Sequence, residues 1–182
     1  MSNVDNNILM IYDDLIQEDY EKMYFVDKII FGSKFNSSVD NIPENIKTIE
    51  FSLFSMFNQS LDNLPNGLNK LVIGPMFNKE LDFLPASLEH LIFQNSFYKH
   101  KLDNLPVGLK TLDLGFHYNM PLYNLPPNLE TFKIPYWYEY SMKYFPRSIK
   151  KMLIPSQFPD SNWKNNFMEI KHIFEGRFEC YN

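Results

Sequence analysis

The chain has 182 residues, a net charge of −5 and 45% hydrophobic residues, enough for one domain with a sizeable core. The acidic balance excludes a general nucleic-acid binder, which carries a basic face, and no apolar run reaches the roughly 20 residues of a membrane-spanning helix. A single cysteine, Cys180, has no partner for an internal disulfide and suits a reducing compartment, so a cytoplasmic protein is expected.

Residues 1–25 carry early acids and no basic leader, so no signal peptide is expected. Within them Ile8, Ile11, Tyr12, Leu15, Ile16, Tyr20, Met23 and Tyr24 follow helical spacing with acids between, which predicts an amphipathic helix capping the N-terminal end of the domain.

From residue 26 to residue 155 the sequence repeats itself. "LDNLPNGLNKLVIG" at 61–74 returns as "LDNLPVGLKTLDLG" at 102–115. Aligned on proline, the register is Pro43, Pro65, Pro85, Pro106, Pro126 and Pro146, at intervals of 22, 20, 21, 20 and 20 residues. Three residues after each proline stand Ile46, Leu68, Leu88, Leu109, Leu129 and Ile149. Two further apolar columns follow, Ile49, Leu71, Leu91, Leu112, Phe132 and Met152, then Phe51, Ile73, Phe93, Leu114, Ile134 and Ile154. Before the proline lies an aromatic column of Phe35, Phe57, Phe77, Tyr98, Tyr118 and Tyr138. Val26, Ile29 and Phe31 in "VDKIIFG" supply a partial first unit.

The two columns after the proline alternate with variable residues, which is strand periodicity. Some 20 residues cannot hold both a strand and a long helix, and proline suits the turn leading into the strand. One unit cannot bury its own apolar columns, but stacked units can. The spacing therefore predicts a repeat solenoid, a curved right-handed array of about seven short parallel strands, one per coil. Residues 156–182 are expected to form a second cap. Ser161 suits the N-cap of a helix carrying Trp163, Phe167, Ile170 and Phe174, although the alternation in "FMEIKHIF" equally permits a strand.

The repeat core, L-P-x-x-L-x-x-L, is similar to the leucine-rich repeat. Its other half, "FNQSL" at 57–61, "FNKEL" at 77–81 and "FNSSVDNIP" at 35–43, resembles the FNIP repeat. Lys99 and Glu139 depart from the asparagine of that motif, and Tyr98, Tyr118 and Tyr138 from its phenylalanine. FNIP repeats are known from social amoebae and amoeba-infecting giant viruses, so the resemblance implies a protein-interaction scaffold, in the host cytoplasm if viral. Some relatives carry an F-box. The stretch before the first repeat strand is shorter than a complete F-box, leaving a substrate-recruiting adaptor of a ubiquitin ligase as the alternative.

No catalytic, cofactor or metal site is expected. His90, His100, His117 and His172 lack ligand spacing. Asp40, Asp62, Asp82 and Asp103 share a column, but Tyr123 and Lys143 interrupt it, so turn hydrogen bonding is the better reading. The candidate partner-binding residues lie between the core columns, on the concave sheet face: Lys70, Val72, His90, Ile92, Thr111, Asp113, Thr131 and Lys133. Val72, His90 and Ile92 form its least polar patch. Phe116, Tyr136 and Trp137, with Phe97 and Tyr140, fall at strand exits outside the core columns and are a second candidate anchor set. This mixture of charge and apolar groups suits a protein or peptide partner rather than nucleic acid or membrane.

Overall fold

The computed structural model describes residues 2–156 and 177–181. Its single sheet has ten strands in chain order: β1 (Ser2–Asp5), β2 (Ile8–Ile11), β3 (Lys28–Phe31), β4 (Thr48–Phe51), β5 (Lys70–Ile73), β6 (His90–Phe93), β7 (Thr111–Asp113), β8 (Thr131–Lys133), β9 (Lys151–Pro155) and β10 (Arg177–Tyr181). β3 to β9 are the seven strands of the repeat, each parallel to the next. Register follows the apolar columns: Ile49 pairs with Leu71, Leu71 with Leu91, Leu91 with Leu112, and Leu112 with Phe132.

The turn before each strand shows why proline recurs. Its carbonyl accepts the N–H three residues on, at 3.0 Å for Leu68, Leu88 and Leu109, which closes a β-turn. That turn delivers the next leucine inward, and Ile46, Leu68, Leu88, Leu109 and Leu129 are all 0% exposed. The aromatic column is equally buried and stacks from coil to coil. Ring centroids lie 5.9 Å apart for Phe35–Phe57, 6.1 Å for Phe57–Phe77 and Phe77–Tyr98, and 6.2 Å for Tyr98–Tyr118.

Exits from the strands differ in length, and the neighbouring coil adapts. The longer exits after β4 and β6 each tuck a buried serine inward, whose hydroxyl accepts a backbone N–H: Ser55 from Phe57 at 3.2 Å, Ser96 from Tyr98 at 3.1 Å. One coil later stands a glycine. A Cβ at Gly74 would lie 2.6 Å from the Ser55 Cβ, and one at Gly115 would lie 2.9 Å from the Phe93 carbonyl oxygen. Gly115 also has φ +71°, the left-handed region that glycine occupies without strain.

The N-terminal cap departs from expectation. A helix is present, α1 (Gln17–Met23), but Ile8, Ile11 and Tyr12 do not belong to it. Residues 8–11 instead form β2, parallel to β3, with Leu9 and Ile11 in the core. The bare edge of β3 explains this. Its unpaired backbone groups are satisfied by another strand and not by a helix laid across them. β1 then turns back on β2 as an antiparallel partner through Asn6 and Asn7, whose positive φ values of 47° and 67° suit a tight hairpin. Only α1 itself matches the helical reading, and the carboxylate of Asp19 accepts the Ile16 N–H at 3.0 Å where it begins. At the other end β10 adds to β9 in parallel. The alternative helix or strand over 161–174 lies outside the described residues.

Candidate interaction surface

The solvent-facing side of the sheet carries the predicted residues in two columns. One runs Lys28, Thr48, Lys70, His90, Thr111, Thr131 and Lys151, the other Ile30, Glu50, Val72, Ile92, Asp113, Lys133 and Leu153. Charges on this face are neutralised between strands. The Glu50 carboxylate takes Lys28 at 2.8 Å and Lys70 at 2.9 Å, while Asp113 takes Lys133 at 3.2 Å and Glu179 takes Lys151 at 2.7 Å. Burial disfavours ionisation of Glu50, but hydrogen bonds and charge from the two lysines outweigh it and hold the carboxyl below the usual glutamate range. A face whose lysines are already matched by acids has little reserve for a polyanion.

The apolar patch is smaller than the spacing suggests. Val72 is on the solvent side but only 4% exposed, so it cannot serve as an open anchor. It sits in register with Glu50 on one side and Ile92 on the other, and these neighbours cover it. His90 and Ile92 remain half-buried and accessible, as do Thr111 and Thr131.

The strand exits form a second surface along one edge of the sheet. Phe97 stacks on His117 with centroids 4.2 Å apart, Phe116 meets His117 edge-on at 5.2 Å and stacks on Tyr136 at 4.6 Å, and Tyr136 meets Trp137 at 5.0 Å. The five rings are thus one continuous chain across three coils. Phe116 and Tyr136 are half-buried by these contacts, whereas Phe97 is 53% and Trp137 44% exposed. Leu53, Phe54, Met56 and Met76 continue the exposed apolar edge over the two preceding exits.

Residues whose types suggest chemistry are instead bonded along the array. The Asp40 carboxylate accepts from the Ser38 hydroxyl at 2.6 Å and the Asn63 amide at 3.1 Å, which lowers its pKa, and Asn104 donates likewise to Asp82 at 2.9 Å. The His100 ring contacts the Asn78 carbonyl at 3.1 Å. Among the described residues no group of three acids, histidines or cysteines is arranged for a metal ion.

The asparagine that follows four of the six column aromatics has a role that spacing alone did not reveal. The Asn36 side-chain oxygen accepts the Asn58 N–H at 2.8 Å, Asn58 accepts from Asn78 at 2.9 Å, and Asn78 from Lys99 at 3.0 Å. Each thereby holds the next coil in register. Lys99 has no side-chain acceptor to pass on, and the ladder resumes with Asn119 accepting the Glu139 N–H at 3.1 Å.

Comparison with known proteins agrees with this architecture. No curated protein sequence matches the chain. Residues 57–96 match the model of the FNIP Repeat. A solved structure described as "CroV588 a novel circular LRR protein structure" superposes over 87% of this chain with TM-score 0.62 and 27% identity. This chain spans 29% of the length of that one. No helix among the described residues is long and apolar enough to cross a membrane. Residues 57–96 thus form an FNIP repeat, its asparagine ladder and leucine columns continue into neighbouring coils, and the chain folds as a leucine-rich-repeat-like solenoid.

Proposed function

We propose that this chain is a non-enzymatic interaction scaffold that presents its solvent-facing sheet and the adjoining strand-exit edge to a protein or peptide in the cytoplasm. The observation that carries the reading is the series of exposed apolar side chains at successive strand exits, from Leu53 to Trp137, beside a sheet face whose charges are paired. Monomeric surfaces seldom expose contiguous apolar patches of this kind without using them. Aromatic groups held by their neighbours lose little freedom on binding, which suits Phe97 and Trp137 as anchors. Ile92 replaces the covered Val72 as the aliphatic contact on the sheet.

The test begins with capture of partners from amoebal lysate, identified by mass spectrometry. Affinity is then measured for Ile92→Glu combined with Trp137→Ala. A loss of roughly tenfold or more, about 1.4 kcal/mol, is expected. Unchanged binding by the folded double variant would place the interface elsewhere. Recovery of ubiquitin-ligase subunits would favour the adaptor role over a stand-alone scaffold.

A further inference from the structure

The residue immediately before each core aromatic forms a column of its own: Lys34, Met56, Met76, Phe97, His117 and Trp137. The rings that follow it stack 5.9–6.2 Å apart from Phe35 to Tyr118, so members on successive coils are neighbours at that pitch. The Phe97–His117 stack at 4.2 Å shows one such contact directly, and the Phe116–Tyr136 stack at 4.6 Å carries the pitch one coil further. Met56, Met76, Phe97 and Trp137 are 44–60% exposed, and His117 is half-buried.

This stripe carries no fixed charge. The exits 52–56, 74–76, 94–97, 114–117 and 134–137 contain no aspartate, glutamate, lysine or arginine, and Lys34 bounds the stripe at one end. Every copy of the chain has a net charge of −5, so two copies repel over most approaches and meet most freely here. Leu53 and Phe54, 48% and 76% exposed, widen the stripe beside Met56. Side chains of this size present roughly 150–250 Å² when fully open. The exposed parts of Leu53, Phe54, Met56, Met76, Phe97 and Trp137 therefore offer on the order of 600 Å², most of the ~800 Å² per partner that a standard interface buries.

We propose that the stripe is a two-fold interface with a second copy of this chain. A two-fold axis that reverses the array keeps the two stripes in step, because both copies repeat at the same pitch. Phe97, in the middle of the stripe, then meets its own counterpart. Met76 faces His117 of the partner copy and Met56 faces its Trp137, so each flexible thioether meets an aromatic ring, a favourable contact. The order of residues suits this arrangement, with methionines on one half of the stripe and rings on the other. The proposal rests on the scaffold reading and deepens it: the exit edge takes a second copy, and the sheet face is left for a captured protein.

The test is sedimentation equilibrium of the full chain, wild type against Phe97→Asp. The wild type is expected to dimerise. Phe97→Asp sets two carboxylates against each other at the axis and should raise the dimer dissociation constant roughly tenfold or more. Its Tm should be unchanged, since the side chain is exposed. Crosslinking with a short bismaleimide, in a Cys180→Ser background, reads the arrangement. Phe97→Cys should link to itself, whereas Met56→Cys and Trp137→Cys should link when mixed and much less alone. A monomeric wild type overturns the proposal. So does a dimer that Phe97→Asp leaves intact, or one in which Met56→Cys links best to itself. If Phe97→Asp does not fold, the crosslinking pattern alone decides. Because dimerisation is read on the purified chain, its failure leaves the scaffold reading to captured proteins and Ile92→Glu. A dimer whose Ile92→Glu variant still captures every protein would keep this interface and remove the sheet from the scaffold reading.

Discussion

Tyr118 and Tyr138 occupy the same column of adjacent coils, yet their hydroxyls meet different fates. That of Tyr138 accepts the Leu122 N–H at 3.1 Å, whereas those of Tyr98 and Tyr118 are buried without a partner among the described residues. Burial pushes all three above the ordinary tyrosine range, so none ionises near neutral pH. Replacement by the phenylalanine of the earlier coils should therefore act in opposite directions. Tyr138→Phe leaves a buried N–H unpaired and is expected to cost about 1 kcal/mol. Tyr118→Phe removes an unsatisfied group and is expected to be neutral or to stabilise by up to about 1 kcal/mol. Urea denaturation of the two variants decides it, and equal destabilisation would show that Tyr118 has a partner of its own. The column was legible in the sequence because every member is aromatic. The difference within it was not, since it depends on where one hydroxyl lies relative to the neighbouring coil.

Among the strands, Glu50 is the element-to-element clamp, joining β3, β4 and β5 through Lys28 and Lys70. Its folded pKa is lowered, so its contribution is fully present above the ordinary glutamate value near ~4.3 and is lost as pH falls through the folded value. Glu50→Gln is expected to lower stability by about 1 kcal/mol at neutral pH. It should also lose less than the wild type on acidification, so the two Tm curves converge toward low pH. Parallel curves would mean that the pairs add nothing to folding. The clamp was foreseeable only as opposite charges on the two outward columns. β3 to β9 themselves were legible because apolar residues recur at a fixed distance from a proline or, in β3, match the end of that pattern. β2 lacks the proline, and "ILMIY" fits a helix face as well as a strand until the open edge of β3 demands a partner. β10 has neither the proline nor the leucine column, and nothing in "RFECY" announces its pairing with β9.

For the molecule as a whole, each repeat strand is hydrogen-bonded to its two neighbours in order, so cohesion passes from coil to coil. The candidate site inherits this arrangement. Which residues face outward was legible from the alternation. That Val72 is covered, and that Leu53 and Gln94, two coils apart, line one recess, follows from how unequal exits nest. In such an array stability is a sum of local and nearest-neighbour terms, so damage should remain graded along the chain. Leu109 leads into β7 and is 0% exposed, so Leu109→Ala leaves a cavity in a central coil at a cost of roughly 2–5 kcal/mol. Hydrogen exchange read by mass spectrometry should show the largest loss of protection in β6, β7 and β8, with a smaller loss in β3 and β4. Wild-type protection should itself decline from the middle toward β1 and β10, because an end strand has one neighbour. An equal loss in every strand of the variant would mean that the coils unfold as a single unit and that the nearest-neighbour description fails.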